Sequence, residues 1–469
     1  MKIKFCGADK EVTGSAHLIQ LDNGFTFLLD CGLYQGYDKD MESFNKTWLF
    51  DPATLDCIVL SHAHIDHTGR LPRIVKDGFD GPIYATPATR SLAAILLLDS
   101  ALIHERDAEY ARKKMQDRHI EYSEVMLEPL YVPDDVPPVM KKFTTHDYDN
   151  WFSIHPDVQV LYKDSGHILG AASVNIKIME NGKQTILSFT GDIGRPNRPI
   201  LRDPDPMIIS DIIISESTYG NRIHPAAPEE SNILLDIIRQ TCVEQKGKLI
   251  IPAFSVGRTQ ELVYIMDKLY NDKLLPKVPV YVDSPLSVNA TAIYNAHPEC
   301  YDRELLHYLL IDKDPFGFNG LTYIKNVEES KSLNDNHDPC VIISASGMAN
   351  AGRIQHHIIN NCDNPRNTIL NIGYCAPGTP GRLLMDGTER IRMHGQEKPV
   401  RAAIKIMQSF SAHGDKIEMR NYLSNQRNYA KKIFLVHGEE DAQIAFKDFL
   451  EEDGFDNIYI PSLGEEVMI

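Results

Sequence analysis

The segment SHAHIDHTGRLP, residues 61–72, places three histidines and an aspartate among six consecutive positions. Residues 55–60, LDCIVL, precede it and are mostly aliphatic or β-branched, which predicts a short buried strand. The polar cluster therefore follows a strand end, which is where ligands bind in open α/β folds. Imidazole and carboxylate groups at this density are suited to zinc, so the segment predicts a zinc site that includes His62, His64, Asp66 and His67.

The composition is that of an ordinary globular protein of 469 residues, long enough for two or three domains. No apolar run approaches the ~18 residues that a membrane-spanning helix needs, and the N-terminus has no signal-peptide pattern. The eight cysteines form no C-x-x-C pair, so we expect free thiols in a cytoplasmic protein with no membrane partner. The net charge of −17 argues mildly against nucleic-acid binding, although net charge does not describe a single cleft.

The N-terminal part of the chain alternates short strands with turns. We expect a hairpin of residues 17–21 and 25–30 about Asn23-Gly24, and further strands at 55–60, 158–162, 173–179 and 185–190. A helix is expected from about 89 to 114. The polar residues 115–150, with four prolines, predict an excursion over the surface.

From about residue 210 the pattern changes to apolar strand, loop and helix, which predicts a parallel sheet with crossover helices. The strands of that pattern are expected at 212–214, 248–251, 278–282, 340–343 and 368–371. From about residue 400 we expect further strands, at 402–407 and 432–436.

Four more candidate ligands lie in or beside loops that border apolar strands: Asp30, His167, Asp192 and His437. Together with H-x-H-x-D-H, this set resembles the metallo-β-lactamase superfamily. The resemblance implies that His62, His64 and His167 hold one zinc ion, and that Asp66, His67 and His437 hold a second. By the same resemblance Asp192 bridges both ions, and Asp30 orients a ligand histidine.

Several strand-end loops between Asp192 and His437 combine serine or glycine with arginine. Singly, each is best explained as a helix cap. Together they suit a polyanionic substrate, with contacts expected from Ser255, Arg258, Ser346, Arg353, Gly378 and Arg382.

These loops, with Glu216, His413 and His437 in its signature positions, resemble the nucleic-acid-processing β-CASP branch of the superfamily. The resemblance implies an α/β protein: an αββα metallo-β-lactamase sandwich, residues 1–208 and 399–469, with an inserted β-CASP domain of parallel sheet, residues 209–398. A histidine at position 437 and the opening Gly7–Ala16 are similar to the RNA-directed cleavage-factor group, which includes the endonuclease of mRNA 3′-end formation.

The expected function is a zinc-dependent ribonuclease that cleaves single-stranded RNA through a hydroxide bridging two zinc ions. Endonuclease activity is expected, with 5′-to-3′ exonuclease activity as a second option, and Asp66, Glu216 and His413 are the expected catalytic residues. DNA cleavage, hydrolysis of a small molecule and a catalytically dead scaffold are the alternatives. For the oligomeric state, a homodimer is the alternative to a monomer.

Overall fold

The computed structural model describes residues 1–35, 41–117, 128–224, 230–373, 375–376, 378–407 and 411–469. The chain divides into two compact units. Unit 1 comprises Met1–Arg198, Arg202–Ile223 and Ala412–Ile469. Unit 2 comprises Pro199–Leu201 and His224–Ser411.

Unit 1 contains two seven-stranded sheets. The first has the strand order β22-β1-β2-β3-β4-β5-β6 and is built from β1 (Lys2–Phe5), β2 (His17–Gln20), β3 (Thr26–Leu29), β4 (Cys57–Val59), β5 (Ile83–Ala85), β6 (Phe143–Thr145) and β22 (Glu466–Met468). The second has the order β21-β20-β11-β10-β9-β8-β7 and is built from β7 (Phe152–His155), β8 (Val158–Asp164), β9 (Ala172–Glu180), β10 (Lys183–Phe189), β11 (Ile212–Glu216), β20 (Lys432–Val436) and β21 (Ile458–Tyr459).

The two sheets enclose a common hydrophobic core. β1 alternates half-buried with buried residues, and its Ile3 and Phe5 belong to that core. The ring of Phe5, from the first sheet, lies 4.9 Å from the ring of Phe434, from the second. Burial of one such side chain contributes roughly 1.5–3 kcal/mol. Strand alternation therefore explains why the sheets pack face to face.

The predicted hairpin of the N-terminal part is present, and the expected strands at 173–179 and 185–190 form another. β2 pairs with β3 in antiparallel register, and β9 pairs with β10. The β9–β10 turn is formed by Asn181 and Gly182, with φ of 52° and 77°. Two consecutive left-handed residues match the twist of a two-residue hairpin, and Asn-Gly is the sequence that adopts them most readily.

The helices of unit 1 are α1 (Met41–Lys46), α2 (Ile65–Thr68), α3 (Leu71–Lys76), α4 (Pro87–Asp117), α5 (Val136–Met140), α13 (Lys416–Leu423) and α14 (Glu440–Glu452). Most described residues of 115–150 are exposed or half-buried, as the expected surface excursion requires, but several of its segments form regular structure, and 118–127 lie outside the described residues. Residues 136–140 form α5, 143–145 add a strand to the first sheet, and Tyr131 and Val139 are fully buried. Prolines at the start of a short helix misled the prediction, because they are compatible with a first helical turn.

Unit 2 is a six-stranded, all-parallel sheet in the order β14-β13-β15-β12-β16-β19. Its strands are β12 (Leu249–Pro252), β13 (Val280–Asp283), β14 (Leu321–Ile324), β15 (Val341–Ser344), β16 (Thr368–Ile372) and β19 (Ala403–Met407), beside a hairpin of β17 (Arg390–Met393) and β18 (Gln396–Pro399). Its helices are α6 (Glu230–Ile238), α7 (Arg258–Asn271), α8 (Pro285–Ala296), α9 (Arg303–Tyr308), α10 (Val327–Asp335), α11 (Arg353–Asn361) and α12 (Pro380–Met385). The parallel sheet with crossover helices is as predicted.

Two strands lie in a different sheet from the one expected. β11 was assigned to the inserted parallel sheet, but it pairs with β10 and β20 in unit 1. β19 was assigned to the return of the first domain, but it pairs with β16 in unit 2. Both strands are apolar and run parallel to their neighbours, so their sequences fit either sheet. The two compact units have their boundaries at 198/199, 201/202, 223/224 and 411/412. The domain limits expected at 208/209 and 398/399 stay a prediction.

Within the part of the chain that the structure describes, no helix combines the length and the apolar character needed to cross a membrane. All eight cysteines are buried and free, as expected.

Candidate metal centre

The predicted ligands of unit 1 all stand at or just beyond strand ends. Asp30 follows β3 directly and His437 follows β20 directly, and both have left-handed backbone conformations, with φ of 57° and 50°. Residues other than glycine adopt this conformation uncommonly, aspartate and histidine more often than most, and such positions concentrate at functional sites. The conformation turns the chain sharply at the strand end. Nothing in the sequence pattern predicts it.

One group of donor atoms comes from His62, His64, His167 and Asp192, whose atoms lie within 4.8 Å of one another. The Nε2 atoms of His62 and His167 lie 3.1 Å and 3.2 Å from Nδ1 of His64. The same two Nε2 atoms lie 3.5 Å and 3.3 Å from Oδ2 of Asp192. Three imidazoles and one carboxylate oxygen therefore converge on one point.

A second group comes from Asp66, His67 and His437. The Nε2 atoms of the two histidines lie 3.1 Å apart, and Oδ2 of Asp66 lies 3.5 Å from Nε2 of His437. Oδ1 of Asp192 lies 3.3 Å from Nε2 of His67. Each oxygen of Asp192 thus faces a different group. The chain brings His437 to the cluster across 370 residues of sequence.

The protonation states of the first group suit metal binding. Burial lowers the pKa values of His62 and His167 well below the ordinary value, and that of His64 to about 4. These imidazoles are therefore neutral at pH 7 and offer a lone pair, as a metal ligand must. Oδ1 of Asp192, also buried, has no hydrogen-bond partner among the described residues.

In the second group, by contrast, the charged forms of His67 and Asp66 are favoured. Burial disfavours a charged His67, but the carboxylates of Asp192 and Asp30 outweigh that cost and hold its pKa well above the ordinary value. Burial also disfavours a charged Asp66, yet the hydrogen bond and charge of His437 and the charge of His67 keep its pKa low. Carboxylates that favour a cation here would equally favour a divalent metal. The donor set of both groups fits such ions.

Three of the histidines have a hydrogen-bond partner on Nδ1, while their Nε2 atoms belong to the donor groups. Nδ1 of His67 lies 2.6 Å from Oδ2 of Asp30, as the family resemblance implied for Asp30. Nδ1 of His62 lies 3.0 Å from the hydroxyl of Ser61, and Nδ1 of His437 lies 3.1 Å from the hydroxyl of Thr218. Such partners fix the tautomer and orientation of ligand histidines. Ser61 and Thr218 were not predicted from the sequence, because single hydroxyl residues give no pattern.

Glu216 and His413 form a pair beside Asp192. Nδ1 of His413 lies 3.1 Å from Oε2 of Glu216 and 3.8 Å from Oδ2 of Asp192. The other oxygen of Glu216 accepts a hydrogen bond from the backbone N–H of Ile193. The N–H of Gly414 donates to the carbonyl of Ile193 at 2.8 Å, which ties the His413 segment to the Asp192 loop.

Glu216 is buried, whereas the side chain of His413 is 21% exposed. Burial disfavours a charged His413, but the carboxylates of Glu216 and Asp192 outweigh it and raise its pKa to about 9. His413 is therefore a protonated group at the open side of the cluster. Donor atoms of Asp192, Glu216 and His413 also lie close enough to form a third candidate metal group.

The loop residues predicted to bind substrate lie in unit 2 and have varied surroundings. Arg258 is buried and paired with Glu261, and Arg353 donates to the buried Asp283 at 2.6 Å. The side chain of Arg382 is 41% exposed, and it pairs with Asp386 at 2.9 Å. Ser255 and Ser346 are partly exposed. Gly378 is exposed with φ of 79°, while its neighbours Tyr374 and Pro377 lie outside the described residues. Substrate contact by these residues stays a prediction.

Family models match three successive segments of the chain. Residues 9–146 match the metallo-beta-lactamase superfamily, 259–384 match the Beta-Casp domain, and 397–461 match the Zn-dependent metallo-hydrolase RNA specificity domain. With the sandwich and the His/Asp cluster of unit 1, these matches define a metal-dependent hydrolase.

Relatives that are similar over most or all of the chain indicate which kind of metal-dependent hydrolase this is. The chain is 32% identical to Ribonuclease TTHA0252 of Thermus thermophilus over all 469 residues, covering 100% of both chains. It is 30% identical to the transcription termination factor FttA of Methanosarcina mazei, covering 94% of this chain and 67% of that one. A crystal structure of a protein of unknown function from Enterococcus faecalis shares the fold, with a TM-score of 0.57 at 10% identity, and covers 100% of this chain and 99% of that one. The chain belongs to the β-CASP nuclease family of the metallo-β-lactamase superfamily.

Proposed function

We propose that this protein is a zinc-dependent ribonuclease that hydrolyses phosphodiester bonds of single-stranded RNA, mainly as an endonuclease. The observation that carries the proposal is Asp192, whose two oxygens face two separate donor groups, with the His413–Glu216 pair beside it. The whole-length similarity to a protein named a ribonuclease, and the RNA specificity domain matched at 397–461, support RNA as substrate.

The proposed ligands are those implied by the sequence. His62, His64 and His167 would hold one zinc ion, Asp66, His67 and His437 the other, and Asp192 would bridge them. Imidazole and carboxylate ligands in these numbers are typical of zinc. Two such ions would activate a water molecule at neutral pH and polarise a phosphoryl oxygen.

The residues of the chain perform the remaining tasks. Asp30, Ser61 and Thr218 orient three imidazoles through contacts with the Nδ1 atoms of those rings. Oδ2 of Asp66 lies in the second donor group, and the side chain is 21% exposed. Asp66 would therefore be a zinc ligand that is also accessible to substrate. His413, protonated and held by Glu216, is the group that would donate a proton to the leaving oxygen. A buried carboxylate behind a proton-donating imidazole keeps it charged and oriented.

The test is cleavage of labelled single-stranded RNA and DNA of the same sequence, side by side, by protein loaded with zinc. We expect RNA to be cut internally, and 5′-labelled and 3′-labelled substrates will separate endonuclease from 5′-to-3′ exonuclease products. Equal cleavage of DNA would overturn the RNA assignment and favour the DNA-directed alternative. Failure to cut either polymer, with metal bound, would overturn the proposal.

A further inference from the structure

The carboxyl edge of the parallel sheet in unit 2 carries a partly exposed aromatic ring. Phe254 stands two residues beyond β12, whose neighbours in the sheet are β15 and β16. Loops that follow adjacent parallel strands meet at one edge, and that edge is where α/β sheets bind ligands. The ring of Phe254 is 40% exposed.

Contacts join these loops into one surface. A Cβ atom placed on Gly347, after β15, would lie 2.7 Å from the ring of Phe254, so the ring rests on glycine backbone. Gly381, beyond β16, donates from its backbone N–H to the carbonyl of Met348 at 2.9 Å. We call residues 253–258, 345–352 and 378–382 the loop cluster.

The backbone of Phe254 is anchored to the first turn of α7. The carbonyl of Phe254 accepts hydrogen bonds from the hydroxyl of Thr259 at 2.8 Å and from its N–H at 3.3 Å. A single exposed aromatic residue is common and needs no explanation. Here, however, the partly exposed hydroxyls of Ser255 and Ser346 belong to the same cluster, as does Arg382, whose 41%-exposed side chain pairs with Asp386. An exposed ring with a cationic side chain in the same loop cluster is a combination that binds single-stranded nucleic acids.

We propose that Phe254 is a stacking platform for one unpaired base of the RNA substrate, a role that rests on the proposed ribonuclease function. An unpaired base presents its flat face to a ring, whereas a base inside a duplex is stacked on both sides. Stacking of this kind tolerates any base, because every base has such a face. Phe254 would therefore select single strands without selecting sequence.

The test compares two ligands of equal length and charge, a fluorescein-labelled oligoadenylate RNA and its abasic analogue, by fluorescence anisotropy. The full-length zinc-loaded protein carries His413→Ala in every sample, so that cleavage is slow and the ligand stays intact. Phe254→Ala is expected to weaken oligoadenylate binding about 5- to 100-fold and to leave abasic binding unchanged. Phe254→Trp should retain binding, and Gly347→Ala should weaken it by displacing the ring. Tyr270→Ala is the matched control, because Tyr270 is 38% exposed at the end of α7, outside the loop cluster.

The outcomes separate the two proposals. Oligoadenylate binding that Phe254→Ala leaves unchanged, in a protein that cleaves RNA, would overturn the stacking role alone. Equal loss for both ligands would overturn it too, since the variant would then act through phosphate contacts or folding. Circular dichroism shows whether the Phe254→Trp protein is folded. If it is not, Gly347→Ala is the second variant that tests the role of the ring. A wild-type protein that neither binds nor cuts RNA would overturn the proposed function as well.

Discussion

The metal centre of unit 1 and the loop cluster of unit 2 both stand at strand ends, yet they use their charged residues in opposite ways. In the metal centre, the donor atoms of imidazoles and carboxylates lie close to one another, and partners such as Asp30 orient the imidazoles through hydrogen bonds. Around the loop cluster, all three arginines are paired with carboxylates of their own unit. Convergent polar atoms therefore distinguish a reaction centre, whereas the mere presence of cations at a strand end does not.

The largest expected effect is at Asp192, the residue that faces both donor groups. Asp192→Asn keeps the shape of the side chain but removes its charge, and we expect RNA cleavage to fall by more than about 10⁴-fold. The measurement is single-turnover cleavage of labelled RNA. Asp338→Asn, the same chemical change on an exposed carboxylate of unit 2, should leave the rate within about twofold. Comparable losses in both variants would remove the contrast between the two regions.

His413 distinguishes chemistry from metal binding within the same centre. His413→Ala should lower kcat by about 10²–10⁴, the usual cost of losing a general acid, while zinc content stays unchanged. Glu216→Gln should give a similar or smaller loss, and the two losses should not add, because the residues act as a pair. His394→Ala, an exposed histidine of unit 2, is the control. If His413→Ala instead loses zinc and the metal-loaded fraction turns over normally, His413 is a ligand.

Arg353 and Arg382 test whether burial decides what an arginine contributes to stability. Arg353 neutralises Asp283, which is fully buried and also bound by His357 and Ser330. Arg353→Met should lower the free energy of unfolding by about 2–4 kcal/mol, because a buried carboxylate loses its cation. Arg382→Met breaks an exposed pair and should cost less than about 1 kcal/mol. Urea unfolding followed by circular dichroism measures both, and equal costs would show that burial does not separate them.

Thr218 tests how the chain orients a ligand histidine. Its hydroxyl lies 3.0 Å from the carbonyl of His437 and 3.1 Å from Nδ1 of the same residue. Donating to the former and accepting from the latter fixes a proton on Nδ1 and leaves Nε2 for the metal. Thr218→Val, which keeps the shape, should weaken zinc binding about 10- to 100-fold in a chelator competition. Thr218→Ser should restore it, and failure of that rescue would mean that the methyl group, not the hydroxyl, matters.

The sequence predicted the metal centre residue by residue because metal chemistry demands few ligand types. His62, His64, Asp66 and His67 are conspicuous by their density, and the superfamily resemblance supplied the four distant partners. The structure brings the proposed ligands together in two groups, with Asp30 behind His67. Hydroxyl partners such as Thr218 were not predictable, since serine and threonine occur everywhere. The left-handed turn at His437 is a property of the folded backbone and leaves no sequence signal.

The loop residues and domain limits were less predictable for a different reason. An arginine at a strand end looks the same whether it meets a phosphate or a buried carboxylate, and only the fold brings Asp283 to Arg353. In the same way, β11 and β19 are apolar parallel strands whose sequences do not say which sheet they join. Interactions between residues distant in sequence decide both questions.

The central claim is that one buried cluster binds two zinc ions through a shared Asp192. The most direct measurement is the metal content of the full-length protein purified without chelators, by mass spectrometry of the metal, for wild type and Asp192→Asn. We expect about two zinc ions per chain in the wild type and clearly fewer in the variant. A folded, RNA-cleaving wild-type protein that contains no transition metal would contradict the claim.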